Sequence, residues 1–81
     1  MAKSLHTPEH EYFRSLLVAA REKAGLTQAD VSTKLKRPQS FVAKYEGGER
    51  RLDVLEFLQV CNALGIDPRP ILSKLLAKVG E

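Results

Sequence analysis

Six cations fall between Lys34 and Arg51: Lys34, Lys36, Arg37, Lys44, Arg50 and Arg51. Only Glu46 and Glu49 oppose them, so residues 34–51 carry a net charge of +4. Residues 1–33 are neutral and residues 52–81 carry −1, so the whole excess of +3 sits in this one stretch. Clustered fixed cations hold polyanions, and nucleic acid is the commonest polyanion in a cell. A solvated loop that happens to be basic is the plainer alternative. Gln39 and Ser40 lie among the cations, and their side chains can exchange hydrogen bonds with base edges. Nothing in the chain suggests bond-making chemistry. No Ser/His/Asp set or carboxylate dyad stands out, and Gly47–Gly48 lacks the strand-to-helix setting of a nucleotide loop. His6 and His10 are too few for a metal site and read as surface groups. Cys61 shares an apolar stripe with Phe57 and Leu64, which marks a core thiol and not a nucleophile. The chain is therefore expected to be no enzyme, with no cofactor and no metal.

The elements that must position these residues are all helices. An arm, residues 1–7, precedes a domain spanning 8–81. Thr7 caps a first helix from about Pro8 to Ala24, with Phe13, Leu16, Leu17 and Ala20 on one face and Gly25 as a left-handed end. Thr27 caps a second helix that stops near Leu35, with Val31 and Leu35 inside and Asp30 completing a capping box. Pro38 forces a turn at Arg37, and a third helix runs to about Glu46 before Gly47 and Gly48 break it. Asp53 caps a fourth helix, about Val54 to Ala63, with an inner stripe of Val54, Phe57, Leu58, Cys61 and Leu64. Asp67 and Pro68 open a fifth helix carrying Ile71, Leu72, Leu75, Leu76 and Val79.

The second and third helices are too short to be stable alone and form a helix-turn-helix unit, residues 27–46, held by the other three. Val42 and Tyr45 form the buried side of the third helix. Gln39, Ser40, Ala43 and Lys44 then point outward, a face that is small, polar and free of acids. An α-helix of that character fits the major groove of B-DNA.

The run "REKAGLTQADVSTKLKRPQSFVAKYEGGERRLDVLEFLQVCNALGIDP" resembles the DNA-binding domain of phage Cro/repressor-type (XRE-like) transcriptional regulators. The matched features are "GLTQ", "QSFVAKYE", "GGER" and "LGIDP". The resemblance implies an all-α, compact five-helix, lambda-repressor-like fold. It implies base readout by Gln39, Ser40, Ala43 and Lys44. Gln28 would touch a phosphate and brace Gln39, while the loop after the third helix would place Gly47, Gly48, Arg50 and Arg51 near phosphates. Arg21 and Glu46 would form an internal ion pair. Lys36 and Arg37 depart from the family pattern, which favours Gly and then an apolar residue. A left-handed Lys36 costs about 1 kcal/mol; either the turn differs, or both cations offset that cost at phosphates. Ser32 replaces the usual Ala between the two helices. Phe41 is bulky for its place and either packs over the gap left by Arg37 or meets a thymine methyl.

The implied function is sequence-specific binding of double-stranded DNA by a transcriptional regulator, as a repressor. Leu72, Leu76 and Val79 form a second apolar face on the fifth helix, suited to a homodimer seam, with Leu52 and Leu55 as contributors. Dimers of this kind read near-palindromic half-sites about 34 Å apart. The rival from another class is an antitoxin or other protein–protein module whose task is to bind a protein partner. An 81-residue chain is one small domain with no room for a small-molecule effector domain. One cysteine precludes an internal disulfide, and no run approaches the ~20 apolar residues of a membrane span. A cytoplasmic protein is expected.

Overall fold

The computed structural model describes residues 7–81. Residues 1–6 of the expected arm, His6 included, lie outside the described residues. Five helices follow in order: α1 Pro8–Lys23, α2 Gln28–Leu35, α3 Gln39–Gly47, α4 Val54–Leu64 and α5 Pro68–Val79. The described residues contain no strand. No helix among them is long and apolar enough to cross a membrane.

Local chemistry explains the helix starts. The Thr7 hydroxyl accepts the His10 N–H at 3.1 Å, with Pro8 at the first helical position. Thr27 and Asp30 close a capping box, the Thr27 N–H donating to Asp30 at 2.8 Å and the Asp30 N–H to Thr27 at 3.0 Å. Asp53 and Glu56 repeat that box on α4 at 2.7 and 3.0 Å. Asp67 accepts from the Arg69 N–H at 2.9 Å. Such caps supply acceptors for amides that the first turn leaves without partners.

The core gathers one face from every helix: Leu17, Val31, Phe41, Val42, Tyr45, Phe57, Val60, Cys61, Leu64 and Ile71. α1 packs on α3 and α5, and α2 packs on α3 and α4. The α4 stripe differs from expectation. Val60 is fully buried, while Val54 and Leu58 are 72% and 41% exposed. Phe57, Val60, Cys61 and Leu64 recur at the helical period, and their centre lies nearly a third of a turn, about 110°, away from Leu58. Val54, at the first position of α4, reaches past the edge of the core. Burial pushes the Cys61 thiol up to about 11, so it stays protonated at neutral pH. Ser32, where a smaller Ala was the family norm, is buried and donates to the Gln28 carbonyl at 2.9 Å.

Lys36 settles the question of the turn. It is left-handed, φ 59° and ψ 43°, and is the only non-glycine with positive φ among the described residues. The Arg37 N–H reaches back to the Ser32 carbonyl at 3.0 Å and closes the end of α2. The turn is left-handed with a lysine at the position where the family pattern favours glycine.

Candidate nucleic-acid interface

α3 presents two opposite sides. Phe41, Val42 and Tyr45 are buried, whereas Gln39, Ser40, Ala43 and Lys44 are exposed together. The outward row foreseen from the sequence therefore exists as one surface. Lys36, Arg37 and Arg51 are also exposed. Pro38, at the N-cap of α3, offers no side-chain acceptor to the first amides of the helix.

The far end of α3 is fixed by Glu46. Arg21 donates from Nε to Oε2 at 2.8 Å and from Nη2 to Oε1 at 3.1 Å, a bidentate pair. Its Nη1 donates to the Leu26 carbonyl at 2.9 Å. The two side chains are 14% and 6% exposed, so this doubly hydrogen-bonded pair is nearly buried. The Glu46 hydrogen bond raises the Arg21 pKa further above its ordinary value. Arg14 donates to the Glu46 carbonyl at 3.0 Å. Two turns of α1 thus hold the last turn of α3.

Gln28 was expected to brace Gln39. Its Nε2 instead donates to Glu46 Oε1 at 2.9 Å. A carboxylate is the stronger acceptor, and it sits at the start of α2 because Arg21 holds it there. Gln28 remains half-buried beside the surface, and its carbonyl end accepts no hydrogen bond from a described residue.

The basic residues divide into two groups. Arg50 is closed onto Glu56: Nη1 donates to Oε1 at 3.0 Å and to the Arg51 carbonyl at 2.8 Å, and Nη2 donates to Oε2 at 2.8 Å. Arg50 was expected near a phosphate; here three of its N–H groups have acceptors, while its side chain is 38% exposed. Its pKa is raised by the Glu56 hydrogen bond. Glu56 is in turn held down at about 2, chiefly by Arg50 and then by the Asp53 N–H. Arg37 approaches the same carboxylate only to 3.5 Å, which is an ion pair without a hydrogen bond. Both guanidiniums lie over the Phe41 ring, Arg37 at 4.4 Å and Arg50 at 4.7 Å from its centroid. Phe41 is 7% exposed and meets Tyr45 edge-on at 5.6 Å. Of its two candidate roles, packing is the one observed.

Gly48 was also expected near a phosphate. It is buried, its N–H donates to the Tyr45 carbonyl at 3.4 Å, and the Arg14 guanidinium covers its Cα. Its φ of 83° ends α3, while Gly47 forms the last, exposed helical residue.

Residues 13–71 match the family model described as "Helix-turn-helix domain". The chain belongs to this family. An XRE-family like protein from Pseudomonas syringae pv. tomato str. DC3000 shares 47% identity over 94% of this chain and 93% of its own, with a TM-score of 0.85. The protein is accordingly an XRE-type member, and that family comprises DNA-binding transcriptional regulators. The restriction-modification controller protein C.Esp1396I has the same fold. Its wild-type structure is 15% identical over 93% of this chain and 99% of its own, with a TM-score of 0.78. A point variant of it is 16% identical over 93% of this chain and 95% of its own, again at 0.78. No curated protein sequence matches the chain.

Within this XRE-type site, sequence reasoning missed Arg14 and Glu56. Glu56 left a signal, since it stands three residues after the capping Asp53. Arg14 left none: its partners lie 32 and more residues away, and no local pattern announces them.

Proposed function

We propose that the chain represses transcription by binding one near-palindromic operator as a homodimer. Base edges in the major groove are read by Gln39, Ser40, Ala43 and Lys44. Lys36, Arg37, Arg51 and the end of α2 at Gln28 lie against phosphates. The observation that carries this reading is the joint exposure of those four α3 side chains on a helix whose last turn is tied to α1 and α2 through Glu46. A fixed helix presents its polar groups at constant spacing, which base discrimination requires. Repression needs the fewest parts, since occupancy of the duplex by itself excludes other proteins.

The homodimer reading is supported by α5. Ile71 and Leu75 turn into the core, while Leu72, Leu76 and Val79 are 48%, 76% and 64% exposed. Leu52 packs against the core and is withdrawn from this face; Leu55, on α4, is 69% exposed. Exposed apolar clusters of this kind mark association surfaces.

Selection of binding sites from random duplex DNA tests the proposal. It should enrich one sequence with two-fold symmetry and half-site centres about 34 Å apart. Recovery of unenriched DNA after repeated rounds would overturn base readout, and an asymmetric site would overturn the dimer.

A further inference from the structure

Arg37 and Phe41 stand one turn apart at the entry to α3, and neither follows the family pattern there. Arg37 is held in place without being used up. Its guanidinium stacks over the Phe41 ring at 4.4 Å and feels the Glu56 carboxylate at 3.5 Å. The guanidinium donates no hydrogen bond to any described residue, and the side chain is 38% exposed. Arg50, on the same ring, has the opposite character: its donors are committed to Glu56 and the Arg51 carbonyl.

An arginine in solution explores many rotamers, and ordering it opposes binding. Stacking a planar guanidinium on an aromatic face removes much of that freedom in advance, while leaving the edge N–H groups available. Phe41 is itself immobilised by burial and by Tyr45. The ion pair between Arg50 and Glu56 fixes the carboxylate that faces Arg37. A guanidinium so oriented, beside the exposed row of α3, suits a two-point contact with phosphate oxygens.

We propose that Arg37 is a pre-set phosphate-binding residue, that Phe41 is its positioning residue, and that Arg50 is a strut holding Glu56 beneath the pair. The proposal rests on the DNA-binding reading and assigns its phosphate contacts. It also explains the two departures together: the arginine replaces the usual apolar residue of the turn, and the phenylalanine supplies the plate on which it lies.

The test is affinity for a duplex of random sequence, measured against salt concentration for the full chain. Arg37→Ala should lower affinity and reduce the slope of log K on log salt by about 0.9, one phosphate's worth. Arg50→Ala should leave that slope nearly unchanged. Arg37→Lys should keep the slope, because the charge remains, yet lose about two- to fivefold in affinity with the stacked plane. Phe41→Leu, checked for helical content by circular dichroism, keeps an apolar core residue and removes the plate. In that background Arg37→Ala should cost about two- to fivefold less affinity than in the wild type. Equal losses in the two backgrounds would overturn the positioning role, and an unchanged slope for Arg37→Ala would overturn the phosphate role. Both results leave the DNA-binding reading standing. Wild-type protein that binds no duplex at low salt would overturn both.

Discussion

Glu46, the penultimate residue of α3, meets Arg21 of α1 through two hydrogen bonds of 2.8 and 3.1 Å, 25 residues apart in sequence. The pair is almost dry, so each charge depends on the other. Glu46→Ala would leave the Arg21 guanidinium buried without its carboxylate and strand the Gln28 amide as well. A loss of about 3–5 kcal/mol is expected, read from urea unfolding. Replacing both partners, with Arg21→Met and Glu46→Leu, should recover much of that loss, because no buried charge remains. A single-variant loss below about 1 kcal/mol would show that the pair is solvated and contributes as a surface bridge does.

Gly48 and Gly25 are both left-handed, at φ 83° and 74°, yet they differ in surroundings. A methyl group on Gly25 meets open space, whereas one on Gly48 lies 2.9 Å from Cζ of Arg14, whose Nη1 is anchored to the Glu46 carbonyl. Gly25→Ala should therefore cost about 1–2 kcal/mol from backbone strain alone. Gly48→Ala should cost clearly more, and the excess should vanish in an Arg14→Ala background. Equal costs at the two glycines in thermal unfolding would show that Arg14 swings away freely.

Lys36 carries the only left-handed side chain among the described residues, and it is exposed. Lys36→Gly should stabilise the fold by about 1 kcal/mol, which raises Tm by roughly 4–8 °C for a domain of this size. It should also weaken DNA binding and flatten the salt dependence, since a proposed phosphate partner is lost. Stability and binding would then move in opposite directions, as expected of a residue kept for its charge. An unchanged Tm would mean that the lysine conformation carries no strain.

Much of this architecture is legible in local sequence. The pairs Thr7–Pro8, Thr27–Asp30 and Asp67–Pro68 mark helix starts because capping is a short-range interaction, and the outward row of α3 follows from helical period once Val42 and Tyr45 are placed inside. The limits are equally physical. α4 is apolar nearly all round, so its period alone did not say whether Leu58 or Val60 faces the core; the packing of α2 decides that. The lysines and arginines look alike in a charge count, yet Arg50 is closed on Glu56 and Arg37 is not. Only the three-dimensional position of a single carboxylate separates them. Family likeness placed Gln28 near Gln39, whereas the charge on Glu46 draws its amide away.

Glu56 links the fold to pH. Its carboxyl is held at about 2 in the folded chain against an ordinary value of 4.5, mainly by Arg50 and next by the Asp53 N–H. A depressed carboxylate contributes stability that is fully present above its unfolded pKa and is lost as pH falls toward the folded one. Unfolding free energy should thus decline from about pH 4.5 down to about pH 2. Asp30, lowered chiefly by the Thr27 N–H, and Asp67, lowered chiefly by the Arg69 guanidinium, act in the same direction. Glu56→Gln isolates the largest contribution: the gap between wild type and variant should be widest at neutral pH and close toward about pH 2. A gap independent of pH would assign the effect to packing and not to the carboxylate charge.

Leu76 is 76% exposed on the outer face of α5, so the folded monomer loses almost nothing if it becomes polar. Leu76→Glu keeps a good helix former and should change monomer stability by no more than about 0.5 kcal/mol. If the face with Leu72 and Val79 is the seam between two copies, the same change places two carboxylates in an apolar contact by symmetry. Light scattering should then report a dimer of the 9.0 kDa chain for the wild type and a monomer for the variant. Affinity for the symmetric operator should fall steeply, because the second half-site no longer gains from being tethered to the first, while affinity for an isolated half-site should stay as it was. That contrast separates a dimer contact from a DNA contact: a side chain that touched DNA would weaken both duplexes alike. A variant that remains dimeric with full affinity would move the seam away from α5.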